Sequence, residues 1–189
     1  MYLFLMFCLL AYLTGSIPTG KIVARLKGVD IQKVGTKNIG SSNVYLNLGK
    51  KMALLVLIGD MGKAFLIVTF AAEYFSLGQT MFIGLCLIIG NLKSLFLNFS
   101  GGKGVATSLG IFLATEPIAL LFLGILWILG LLFKKYILWS GIGAIFLIPY
   151  QYSGYGEGIA VISAFFIILF MLLKHNENIK WARVEQEAS

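Results

Sequence analysis

Long apolar runs follow one another along nearly the whole chain and leave it few environments in which to fold. They cover residues 2–24, 52–75, 80–99, 105–115, 117–133, 137–150 and 158–173. A helix needs about 20 mostly apolar residues to cross a bilayer, and fewer where it is packed inside a bundle. The runs are continuously apolar, without the period-two alternation of a transmembrane barrel, so they predict helices. At 59% hydrophobic and 12% charged, the chain lies outside the range of soluble domains, which hold about 25% charged residues. The expectation is an all-α integral membrane protein of seven transmembrane helices, forming a single membrane domain over 1–189. The fourth and sixth runs are the short ones.

Charge orients the bundle. With the N-terminus outside, the cytoplasmic segments would hold Arg25, Lys27, Lys33, Lys37, Lys50, Lys51, Lys93, Lys103, Lys134, Lys135, Lys174, Lys180 and Arg183. The external turns would hold Glu73, Glu116 and Glu157 and no Lys or Arg. That asymmetry predicts an external N-terminus and a cytoplasmic C-terminus. It also accounts for the net charge of +7 without nucleic acid, since no soluble domain presents a basic face. No basic residue precedes Lys21, so the first run lacks the charged start of a signal peptide. Cys8 and Cys86 fall in apolar runs and read as small core residues, with no disulfide or metal framework.

Polar residues that could do chemistry gather in segments on the expected cytoplasmic side. Residues 34–43 read Val-Gly-Thr-Lys-Asn-Ile-Gly-Ser-Ser-Asn. Glycines expose backbone N–H groups there, among small hydroxyls, amides and a lysine, which are the parts of an oxyanion cradle. The same residues also suit a plain polar loop with Ser41, Ser42 or Asn43 as a helix cap. Residues 100–107 read Ser-Gly-Gly-Lys-Gly-Val-Ala-Thr. A helix N-terminus beside Lys103 favours an anion, although the spacing is not that of a nucleotide-binding P-loop; a glycine hinge between spans is the alternative. Residues 174–180, with the lone His175, leave the last run as a polar helix end. Asp60 and Lys63 lie mid-run, three apart on one helical face, and read as a structural ion pair or a functional charge.

In this order, the segments resemble those of the bacterial acyl-phosphate-dependent glycerol-3-phosphate acyltransferases. The likeness runs from Ala11–Gly20 through Leu26–Asp30, Asn38–Gly40 and Leu48–Lys51, is most specific at Gly101–Thr107, and ends at Glu177–Ile179. It implies transfer of a fatty acyl group from acyl phosphate to the 1-hydroxyl of sn-glycerol 3-phosphate, giving lysophosphatidic acid and phosphate in phospholipid synthesis. The implied location is the cytoplasmic (inner) membrane, with the site facing the cytoplasm. One substrate would come from the membrane lipid and the other from the cytoplasm, to a monomer needing no metal and no cofactor.

By matching position, the resemblance makes Lys103, Asn178 and Asn91 the catalytic candidates. It makes Thr36, Lys37, Asn38, Gly40, Asn43, Gly101, Gly102, Gly104 and Thr107 the substrate-binding ones. The chain departs from the family pattern at four places, one of them Asn176, which stands for the arginine of the last motif. Thr36-Lys37-Asn38 stands for Ser-Gly-Asn, Leu46 for an arginine that helps bind phosphate, and Asn91 for a histidine. Two further readings stay open at this point: a catalytically impaired paralogue that binds phosphate-bearing lipid precursors, and a small anion transporter. Polar density on one side of the bundle argues against a path across it.

Overall fold

A computed structural model describes residues 1–118, 120, 121, 125 and 158–170. Most of the fifth run, all of the sixth, the end of the seventh and the segment with Asn178 lie outside them. Every regular element among the described residues is helical. They are α1 (Tyr2–Ser16), α2 (Thr19–Arg25), α3 (Ser41–Ala72), α4 (Leu77–Leu92), a 3-10 turn at Leu95–Leu97 and α5 (Val105–Thr115). A further apolar helix covers Gly158–Phe170.

Tyr2–Arg25, Lys50–Ala72 and Leu77–Leu97 are long and apolar enough to cross a membrane. Many large side chains on these helices face outward, among them Leu5, Leu9, Leu54, Ile58, Leu66 and Phe70. Such a surface is stable against lipid and not against water.

Two of the expected spans are interrupted, each for a local reason. The run 2–24 breaks at Ile17, because a residue before proline is driven out of the helical region; Ile17 has φ −59° and ψ 114°. The run at 52–75 belongs to a longer helix that starts at Ser41 and kinks at Gly49, where φ is 80° and ψ 177°. Residues 41–48 thus form a short separate helix ahead of the span 50–72.

Broken backbone in a membrane must find hydrogen bonds inside the protein. At the α1–α2 break it does so through side chains. Lys63 Nζ donates to Ile17 O at 2.7 Å and to Gly15 O at 3.3 Å. Ser94 Oγ donates to Ser16 O, and Ser16 Oγ accepts from Leu95 N–H at 3.3 Å.

α1 packs on α4 and α3 on α5. The first pair approaches backbone to backbone: a side chain on Gly15 would strike Leu87 O, and one on Gly90 would strike Tyr12 O. The main core joins Phe7, Ala11, Val68, Met81, Leu87, Ile88, Ile111 and Ile167. A second cluster, Ala24, Ile31, Ile39, Val44, Val56 and Leu97, lies beneath the 26–40 loop and anchors it to the bundle.

Candidate functional site

The 26–40 loop folds around one side chain. Asn43 is buried. Its Oδ1 accepts Thr36 N–H at 2.8 Å, and its Nδ2 donates to Ile31 O, Val34 O and Asn38 O at 3.1, 3.1 and 2.9 Å. Asn47 Nδ2 donates to Asn43 Oδ1 at 3.1 Å from the next turn. Gly35 has φ +53°, and any side chain there would meet Asn43 Oδ1 and Asn47 Nδ2, so glycine is required. Asn38 Oδ1 accepts Gly40 N–H at 2.8 Å and sets the entry to α3. Gly40 is the N-cap of that helix; Ser41, Ser42 and Asn43, read from the sequence as caps, lie inside it.

The glycine segment is held against the end of α4. Gly102 N–H donates to Asn91 O at 2.9 Å. A side chain on Gly101 would collide with Asn91 O and Leu92 O. Gly104, in the left-handed region at φ +78°, turns the chain into α5 as its N-cap. Gln32 ties the two segments together, accepting from Lys21 Nζ at 2.6 Å and donating to Ser100 Oγ at 3.4 Å.

These constraints place two helix N-termini on one cleft. It is lined by Thr36, Asn38, Gly40, Ser41, Ser42 and Asn43 from the first segment, Gly102–Thr107 from the second, and Asp60 and Asn91 from the spans. In α3 the amides of Asn43 and Val44 close on Gly40 O at 3.1 and 3.2 Å. Those of Ser41 and Ser42, ahead of them, have no helical carbonyl to bond. In α5 the first helical bond runs from Ser108 N–H to Gly104 O at 2.7 Å, which leaves the first-turn amides of Val105, Ala106 and Thr107 without one. Thr107 Oγ1 is buried with no hydrogen-bond partner among the described residues, a costly state unless a ligand supplies an acceptor. Both helix dipoles and the Lys103 ammonium favour negative charge here. The one carboxylate in the lining among the described residues, Asp60, is neutralised locally by Lys63 Nζ at 2.8 Å.

Of the residues singled out from the sequence, the cleft brings together Lys103, Asn91, Thr36, Asn38, Gly40, Asn43, Gly102, Gly104 and Thr107. Gly101 supports the lining from behind without being part of it. Lys37 is exposed and outside the lining. Its φ of +56° is left-handed, a conformation that favours the glycine of the family pattern. Asn178 lies outside the described residues. Asn43 is present chiefly as the hub of the loop. Ser41, Ser42 and Asp60 are lining residues outside the substrate-binding set, the serines read from the sequence as cradle hydroxyls or caps and Asp60 as a structural or functional charge.

Comparison with known proteins is consistent along the chain. The glycerol-3-phosphate acyltransferase family profile matches residues 5–183. A glycerol-3-phosphate acyltransferase of Syntrophotalea carbinolica is 40% identical over 183 residues, covering 94% of this chain and 92% of the relative. One from Aquifex aeolicus is 37% identical, covering 89% and 90%. Among solved structures, PlsY, an integral membrane glycerol 3-phosphate acyltransferase, superposes in its glycerol 3-phosphate form with a TM-score of 0.84 at 34% identity, covering 96% of this chain and 92% of that one. Its lysophosphatidic acid form superposes with a TM-score of 0.82.

Proposed function

Because this chain belongs to the glycerol-3-phosphate acyltransferase family, we propose that its cleft holds two phosphates side by side, one of glycerol 3-phosphate and one of an acyl phosphate, and moves the acyl group between them. The observation that carries the reading is the convergence of the α3 and α5 N-termini and Lys103 on one cleft. A single anion needs one such terminus; two termini suit an acceptor and a donor that both carry phosphate.

The transfer is a displacement at the acyl carbonyl. The C1 hydroxyl oxygen of glycerol 3-phosphate bonds to the carbonyl carbon, and the bond from that carbon to the donor's phosphate oxygen breaks. The hydroxyl proton passes to a phosphate oxygen, so the products are lysophosphatidic acid and inorganic phosphate. Asn91 carries an amide and is not a base near neutral pH; a phosphate oxygen takes that part, and the protein contributes position and charge stabilisation. In this scheme Lys103 and the first-turn amides of α5, with Thr107 Oγ1, hold one phosphate. Ser41, Ser42 and the loop at Thr36 and Asn38 hold the other. Asn178 orients the acceptor from the C-terminal segment.

The remaining arrangement follows the charge pattern. The frame has seven spans, with the N-terminus outside and the basic segments and cleft on the cytoplasmic side of the inner membrane. A monomer suffices, since the cleft is built from one chain. The acyl chain of the donor lies in the bilayer while its phosphate reaches the cleft.

The test is phosphate release by the purified protein given palmitoyl phosphate and glycerol 3-phosphate, with the lipid product identified by mass. Release that needs both substrates and yields lysophosphatidic acid supports the scheme. A folded protein that gives no product with this donor overturns it.

A further inference from the structure

Among the described residues Asp60 is the only carboxylate in the cleft lining, and only one of its oxygens is engaged there. Thr19 Oγ1 donates to Oδ1 at 2.8 Å, and Lys63 Nζ lies 2.8 Å from the same oxygen. No donor among the described residues is bonded to Oδ2, although Asp60 is only 9% exposed. Asn91, 5% exposed in the same lining, likewise makes no side-chain hydrogen bond among the described residues, and its Oδ1 lies beside Gly102. Two largely buried polar side chains in the lining of one cleft thus carry hydrogen-bonding groups with no protein partner among the described residues. Both side chains keep some contact with the open cleft, where water or a ligand can complete them.

The chemistry of the missing partner is restricted. An ionised carboxylate only accepts hydrogen bonds, and it repels phosphate. It fits a hydroxyl. In glycerol 3-phosphate, the C3 phosphate belongs with the cationic part of the cleft and the C1 hydroxyl must face the acyl carbonyl. The C2 hydroxyl is the group left to be received. We propose that Asp60 Oδ2 accepts the C2 hydroxyl, so that Asp60 is a specificity-determining residue as well as half of an ion pair; this rests on the acyltransferase reading above. A ketone at C2 has no proton to donate and would set its oxygen against the carboxylate, so dihydroxyacetone phosphate is excluded by the same contact. A site built to bond a substrate hydroxyl rejects the analogue that lacks it.

The experiment uses the full chain in detergent. Glycerol 3-phosphate is the substrate; dihydroxyacetone phosphate and 3-hydroxypropyl phosphate, which has no group at C2, are competitors. For wild type, both competitors should bind at least about tenfold more weakly than glycerol 3-phosphate. In Asp60→Asn the remaining oxygen still serves Thr19 and Lys63, but an amide donor replaces Oδ2. The ratio of the dihydroxyacetone phosphate inhibition constant to the glycerol 3-phosphate KM should then fall at least about tenfold. Thr19→Val, which disturbs only Oδ1, should leave that ratio at its wild-type value.

An unchanged ratio in Asp60→Asn, or an equal fall in Thr19→Val, overturns the proposal. So does a wild type that binds 3-hydroxypropyl phosphate as well as glycerol 3-phosphate, a comparison that needs no variant to fold. A wild type that does not acylate glycerol 3-phosphate at all fails the functional reading instead, and is recognised by the absence of lysophosphatidic acid before any competitor is added.

Discussion

Lys63 Nζ lies 2.7 Å from the carbonyl oxygen of Ile17 and 2.8 Å from Asp60 Oδ1, so a single ammonium both pairs a buried carboxylate and completes the broken end of α1. Without it, the break before Pro18 would leave Gly15 O with no other partner among the described residues and Ile17 O with Thr19 N–H alone, and an unbonded carbonyl in an apolar bundle costs several kcal/mol. The Asp60–Lys63 pair expected from the sequence is present. Its lysine has the second task because residues 15–17 pack against that turn of α3.

Lys63→Met should therefore destabilise the protein by about 3 kcal/mol, since removing one partner strands a buried charge. Thermal unfolding in detergent measures the loss. Adding Asp60→Asn to Lys63→Met should recover part of it, because the stranded charge is then gone while the lysine's contacts to Gly15 O and Ile17 O stay lost. A double variant no more stable than Lys63→Met would show that the carbonyl contacts alone account for the effect.

Gly35→Ala should damage the site and spare the bundle. The substitution is strained at φ +53° by about 1 kcal/mol, and its methyl meets the Asn43 and Asn47 amides. The bond from Thr36 N–H to Asn43 Oδ1 is then lost, and with it the shape of the loop. Misplacement of a positioning loop by about 1 Å can lower rates by about a hundredfold. Turnover should fall at least about tenfold with little change in melting temperature. Limited proteolysis should cut the 26–40 loop faster than in the wild type.

Much of this architecture is legible locally, and the exceptions have physical causes. Apolar runs locate α5 and the start of α4 to within three residues, because burial and lipid contact act on every residue of a span, but the run 80–99 overshoots the end of α4 at Leu92. The run 2–24 reads as one helix, since composition does not register the backbone bond that Pro18 forbids. Asn43 carries the composition of a ligand, yet the folded loop uses its amide on five backbone and side-chain partners. Four of them, from Ile31 to Asn38, meet it only when that segment curls back over the first turn of α3. Lys37 reads as a phosphate ligand by charge, but its left-handed backbone is what the position requires. Asp60 is visible as an intramembrane charge. Its place beside Gly102–Thr107 comes from the packing of α3 on α5, which no short-range pattern encodes.

Lys103 and Thr107 should separate in their effects. Lys103→Ala removes the cation of the cleft and should lower kcat/KM by about a hundredfold or more, with the protein still folded by its melting curve. Thr107→Val removes a buried hydroxyl that has no partner among the described residues. Without substrate, that variant should be as stable as wild type or more so, since an unsatisfied polar group is gone. With substrate it should lose about tenfold in activity. Loss of stability in ligand-free Thr107→Val would mean that the hydroxyl serves the fold.

Leu46→Arg tests whether the departure from the family pattern weakens acceptor binding. Leu46 is 67% exposed and lies one helical turn beyond Ser42, which lines the cleft. Residues four apart share a helix face, and helical side chains lean toward the N-terminus. An arginine at 46 therefore extends along the 41–48 helix toward the cleft, where its guanidinium can bind a phosphate in bidentate fashion. The variant should lower the KM for glycerol 3-phosphate by about tenfold, in line with about 1.5 kcal/mol for a charge-assisted hydrogen bond. It should leave the KM for acyl phosphate and the melting temperature near their wild-type values. Initial rates over a range of each substrate separate these effects. An equal change in both KM values would mean that the added charge acts on the whole cleft, and an unchanged KM for glycerol 3-phosphate would place its phosphate beyond the reach of position 46.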